Sequence, residues 1–183
     1  MEESVYIIKW YGPFTDIERT REWEVQSGIS CNLYLISGMK RYAKSSIHYY
    51  IGKAERNYIT DRLKDKGHHL NEFSRIKEIW VGNIANKEAS HDDVKDIERM
   101  LTSYFVGEVG IDKMLNRTNF QLPKNNVYVL SEWIEPNSES AWGKLPRISP
   151  ANIMPDVIVN KVNDEAYNYC LYVSKKLKKQ EKK

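Results

Sequence analysis

Glu98 is the first residue whose setting asks for a chemical explanation. The segment DDVKDIERMLTSYF, residues 92–105, carries Val94, Ile97, Leu101, Tyr104 and Phe105 at helical spacing, the pattern of a helix with one apolar face. Glu98 falls in the 94, 98, 101, 105 row of that face, where the pattern asks for a hydrocarbon. A carboxylate is tolerated there if it pairs with a cation, holds a metal ion, or lies at the rim of the stripe facing water. Arg62 stands one position from a second inward pair, Ile59 and Leu63. Tyr34 and Tyr50 lie on two β-prone runs, and phenols on adjacent strands come side by side when the register puts them on one face.

The elements that must position these groups can be read along the chain. VYIIKWYGPF reads as a strand ended by Gly12-Pro13, and TDIERTREWEVQ as a charged helical stretch with Thr15 at its N-cap. CNLYLISG and SSIHYYIGKA flank the turn-prone GMKRYAK, a β-hairpin with a long loop. Asn57 caps a short helix through NYITDRLKDK, closed by Gly67. RIKEIWVGNI is a third strand, and the 92–105 helix follows behind Asp and Ser capping residues. NNVYVLSEWI and PDVIV read as further strands, and NDEAYNYCLYVSKKLKK has helical spacing. The expected fold is α+β, a small central, mainly antiparallel sheet flanked by helices. Residues 1–30 form an N-terminal extension, 31–120 the core, 121–174 a C-terminal extension packed on it, and 175–183 a basic disordered tail.

Composition bounds the function classes. With 183 residues, 41% hydrophobic and 29% charged, the chain can bury a core without staples. It has no apolar run approaching the roughly 20 residues of a membrane span, and its acidic start lacks the basic region of a secretory signal. A cytoplasmic protein with no membrane partner is expected. Cys31 and Cys170 lack zinc-site spacing and read as buried thiols. No glycine-rich phosphate loop is present, so no nucleotide cofactor is expected. The net charge of +3 is unevenly spread: residues 31–82 hold ten basic and five acidic side chains, the last nine residues six and one. Such a block suits a polyanionic partner as well as it suits a solvated surface.

Taken in order, these residues resemble the GIY-YIG nucleases. Asn32-Leu33-Tyr34 stands where the first triplet of that family stands, and Tyr50-Ile51-Gly52 is a full YIG. Lys53-Ala54 follow as in the UvrC-type nuclease domain, then Arg62, Glu98 and Leu115-Asn116 on the expected elements. The resemblance covers about residues 31 to 120. There are departures. The first triplet keeps only its tyrosine, and the two tyrosines stand sixteen residues apart, so the hairpin loop is enlarged. Arg56 rivals Arg62, Asn119 rivals Asn116, and Lys66 stands where the family often has His or Tyr, with His68 or His69 as substitutes.

The resemblance implies a metal-dependent DNA endonuclease, of restriction or mobile-element type, with a fold-retaining DNA-binding or partner-binding domain that has lost cleavage as the alternative. It implies that Glu98 is the single protein ligand of Mg²⁺ or Mn²⁺, a hard ion that keeps several waters. Arg62 supplies a planar donor fork to the phosphate. Tyr34 or Tyr50 positions or deprotonates the attacking water, which requires a nearby cation such as Lys53 because a free phenol titrates near pH ~10. Asn116 takes the place of the family's late asparagine. Lys40, Arg41, Lys44, Lys64, Lys66 and His68 form the surface implied to face DNA.

Overall fold

In the computed structural model, β1 (Glu3–Phe14), β2 (Leu33–Lys40), β3 (Ile47–Lys53), β4 (Phe73–Ile84), β5 (Asn126–Ile134), β6 (Val157–Asn163) and β7 (Asn168–Val173) join in one sheet. Residues 3–43, 45–116, 118, 120–137, 145, 147–163 and 168–173 are described, Asn163 and 168–173 by backbone alone. The strand order is β3-β2-β4-β1-β5-β6-β7, antiparallel at every pairing except the parallel β1–β5. The α+β class therefore holds, but the sheet is mixed and larger than expected. Strands from both flanking segments complete it, with β1 lying between β4 and β5.

Helix α3 (His91–Val109) covers one face of this sheet, and α1 (Ile17–Ser27) with the short α2 (Ile59–Leu63) covers the other. Alternation along the strands sorts the side chains between them. Leu33, Leu35, Tyr49, Ile51 and Trp80 pack with Ile97, Leu101 and Phe105 of α3. Tyr34, Ile36, Tyr50, Ile79 and Val81 pack with Trp23 of α1 and with Ile59 and Leu63 of α2.

Several boundaries differ from the sequence reading. β1 runs through Gly12-Pro13 to Phe14, across a register shift against β4 between Tyr11 and Phe14; an irregularity of this kind accommodates the missing proline donor. Asp16, not Thr15, caps α1 by accepting from the Arg19 amide. The residue before α2 is Tyr58 rather than Asn57, and it makes no side-chain cap. The expected C-terminal helix is replaced over Asn168–Val173 by β7, antiparallel to β6. The run Asn-Tyr-Cys-Leu-Tyr-Val is rich in β-prone types, and an open sheet edge supplies its backbone partners. The side chain of Cys170 and the tail 175–183 lie outside the described residues. Cys31 is buried and unbridged.

The hairpin register fixes the two tyrosines. Tyr34 pairs with Gly52 and Ile36 with Tyr50, so Tyr34 and Tyr50 are diagonal neighbours on one face, their rings 5.9 Å apart. A Cβ on Gly52 would fall inside the van der Waals envelope of Cζ and Oη of Tyr34. The glycine is the space in which the phenol lies. Gly52→Ala should therefore lower stability by roughly 1–3 kcal/mol, the usual range for overpacking, as read from urea unfolding. Stability equal to that of the parent would show that the ring does not cross this glycine.

Candidate active site

Helix α3 begins with a capping box: Ser90 Oγ accepts from the Asp93 amide and Asp93 returns the bond to the Ser90 amide. Its register is held by Val94, Ile97, Met100, Leu101 and Phe105, all buried. On that turn Glu98 is only 6% exposed. It makes no hydrogen bond and no ion pair among the described residues. Burial is the main influence on its carboxyl and raises the pKa, against the opposing pull of Lys53, Arg99, Arg62 and Lys95.

Glu98 opens into a cleft of about 420 Å³ together with Tyr34, Tyr50, Lys53, Arg56 and Arg62. The structure thus brings together four of the expected catalytic residues with Lys53. They reach the cleft from both faces of the sheet, around the end of β3 where the chain leaves as Lys53-Ala54. A smaller cavity of about 160 Å³ adjoins through Lys53, Ala54 and Glu55 and ends at Ser90 and His91.

Tyr34 belongs to a directed hydrogen-bond chain. The Leu70 amide donates to Nδ1 of His68 at 2.9 Å, so the neutral ring carries its proton on Nε2 and donates it to Oη of Tyr34 at 2.8 Å. The Tyr50 ring lies beside this acceptor, 5.9 Å between centroids. Burial raises both phenols, and for Tyr34 the neighbouring Tyr50 raises it further. For Tyr50, the neighbouring Tyr34 hydroxyl and the charge of Arg62 pull the other way. Burial also pushes His68 down to about 4, helped by Arg62 and His69.

The cations are held by local carboxylates. Asp65 takes Arg62 Nη1 on one oxygen and Arg56 Nη1 on the other, each at 2.8 Å. The bond to Asp65 raises the pKa of Arg62, and the bond from Arg62 lowers that of Asp65. Lys53 pairs with Glu55 at 2.5 Å, and the same Glu55 oxygen meets His91 Nδ1 at 2.7 Å. Sequence reading treated Arg56 as a rival of Arg62, whereas both line the cleft. It missed Asp65, although a carboxylate three residues after an arginine on a helix was a readable sign.

Two expected roles change. Asn116 is buried away from the cleft, its amide spanning the backbone of Ile51: the Ile51 N–H donates to Oδ1 at 3.0 Å, and Nδ2 donates to the Ile51 carbonyl at 2.7 Å. It holds β3 in place and does not line the cleft. His68, expected on the DNA surface, is 4% exposed behind Tyr34. Of the remaining basic residues, Arg41, Lys64 and Lys66 are exposed and Lys40 pairs with Glu72 at 3.6 Å. Lys44 and Asn119 lie outside the described residues.

No protein-family model, curated protein or solved structure matches the chain. No helix among the described residues is long and apolar enough to cross a membrane.

The chain through His68 carries a pH signature. His68 stays neutral in the folded protein down to about 4, while the unfolded chain takes up its proton below 6.5. The stability it confers is complete above the unfolded value and drains away as pH falls through this window, at most at ~1.4 kcal/mol per pH unit. Urea titrations from pH 7 to 4 should show a steeper loss for the parent than for His68→Gln. Parallel curves would mean that His68 is not held neutral.

Proposed function

We propose that this protein is a metal-dependent endonuclease that hydrolyses phosphodiester bonds of DNA in the cleft between Glu98 and Arg62. One observation carries the reading: a buried carboxylate with no partner among the described residues shares a cleft with two arginines, a lysine and two adjacent phenols.

The donor set fits a divalent ion of the Mg²⁺ or Mn²⁺ kind. No group of three His, Cys, Asp or Glu side chains gathers among the described residues, so Glu98 would hold the ion alone, with water and phosphate oxygens as the other ligands. Such an ion, when bound, polarises a phosphoryl oxygen and makes its water more acidic. Arg62 and Arg56 clamp the phosphate through their N–H donors, and a phosphate can take over the bridging position that Asp65 occupies between them. Tyr50, which stays a neutral phenol because burial raises its pKa, orients the attacking water beside Arg62, and the proton of that water would pass to solvent. Tyr34 cannot serve as readily, since it is 1% exposed and its oxygen accepts from His68. Lys53 adds positive charge at the shared wall of the two cavities. DNA as the substrate is supported by the +5 balance of residues 31–82, with Arg41, Lys64 and Lys66 exposed for backbone contacts.

Purified protein should nick or linearise plasmid DNA with Mg²⁺ or Mn²⁺ and stop with EDTA. Arg62→Ala should lose on the order of 10²–10³ in rate, as for other removed donors to a transition-state oxyanion, and Glu98→Gln should cut no DNA. Without metal, Glu98→Gln should unfold at or above the parent temperature at neutral pH. A carboxyl whose folded pKa is raised destabilises the fold above its unfolded value, and the amide removes that cost. Retained cleavage by Glu98→Gln would sink the site assignment, and DNA binding without cleavage by the parent would favour a binding domain.

A further inference from the structure

We infer that Glu24, on α1 and far from the cleft in sequence, is the positioning residue for Arg62. This rests on the hydrolytic reading of the cleft. Helix α2 has five residues and no side-chain cap of its own, well below the length of ~12–15 residues at which an isolated helix becomes even marginal. Its first amides would be orphan donors in the interior. Glu24, 2% exposed, supplies the missing acceptors. The Ile59 amide donates to Oε1 at 2.6 Å, and the Thr60 amide and hydroxyl donate to Oε2 at 3.2 and 2.6 Å.

Arg21, on the same helix, secures the outer side. Its Nη1 donates to Thr60 Oγ1 at 3.3 Å and to Asp61 Oδ1 at 3.0 Å, and its guanidinium lies 3.8 Å over the Tyr58 ring. Thr60 Oγ1 therefore accepts from Arg21 while donating to Glu24. Arg62 is two residues further along α2, and Arg56 is tied to the same turn through the Asp61 carbonyl at 3.1 Å and through Asp65. A carboxylate is needed because the three donors reach two oxygens. A glutamine would turn an N–H₂ group towards one of them. The segment before residue 31 thus sets the place of the phosphate-binding arginines.

The test uses the full chain and single-turnover cleavage of a plasmid with Mg²⁺. Glu24→Gln should slow cleavage on the order of 10- to 100-fold, the range for displaced catalytic groups, with DNA affinity nearly unchanged. On an Arg62→Ala background the same substitution should cost severalfold less, since most of its effect passes through that arginine and only the remainder through Arg56. Equal losses in both backgrounds, or no loss in either, would overturn the inference. Glu24→Ala leaves three buried donors unpaired and endangers the fold itself, so hydrogen exchange of the Gln variant provides a second readout: the Ile59 and Thr60 amides should exchange faster while α3 keeps its protection. Unchanged exchange at those amides also overturns it. A parent that cuts no DNA refutes the nuclease reading instead, and the exchange result then judges the Glu24 cap by itself.

Discussion

Taking a carboxylate out of water without a partner is costly, and Glu98 is held in that state by the packing of its own helix. The turn that carries it cannot rotate away from the interior without exposing Ile97, Met100, Leu101 and Phe105, which are fully shut off from solvent. The Ser90–Asp93 capping box fixes where the helix starts and hence which residue faces the cleft. Lys53, Arg99, Arg62 and Lys95 ease the charge from a distance, yet burial outweighs them. What lowers the stability of the free protein favours a cation arriving beside it.

The cleft also depends on how the sheet ends. Side chains alternate between two cores, so groups on opposite faces meet only around an edge. β3 is that edge, and it is not left bare. The Leu115 amide donates to the Tyr49 carbonyl at 2.9 Å, Met114 forms a bridge with Tyr49, and Asn116 takes both backbone groups of Ile51. The edge is thereby stiffened where Tyr50 must project, and its unpaired backbone groups are covered. The same strand supplies the glycine that admits the Tyr34 ring and the lysine that joins the two cavities.

Much of this was legible in local pattern. The α3 stripe and its cap, the hairpin, and Arg62 beside Ile59 and Leu63 each depend on residues a few positions apart. The rest depends on contacts that close long loops. Nothing local in VYIIKWYGPF says that the strand lies between β4 and β5, because its buried alternation suits an edge or an interior place equally. Glu24 stands on a buried face with Thr20 and Trp23, the same anomaly that made Glu98 conspicuous. It was passed over among the other charges of α1, and its partners lie 35 and 36 residues away. His68 read as a loop histidine for the same reason: only the fold brings it behind Tyr34. The C-terminal segment failed differently, since Asn-Tyr-Cys-Leu-Tyr-Val satisfies both periods over so short a run.

The hydrogen bonds that end on Tyr34 show how a rigid element can set the chemistry of a distant atom. A backbone amide can only donate, so the Leu70 N–H fixes Nδ1 of His68 as an acceptor. That choice forces the proton to Nε2 and makes Tyr34 Oη an acceptor. The polarity of the whole chain follows from one peptide group in the turn His69–Glu72. Reversing it would require protonating a buried ring whose charged form is disfavoured by both burial and Arg62. Tyr34 Oη is therefore committed to His68, while Tyr50 lies beside it in the same cleft. Of two neighbouring tyrosines with the same chemistry, the one bound to His68 is the more deeply buried, and Tyr50 is the more open to the cleft.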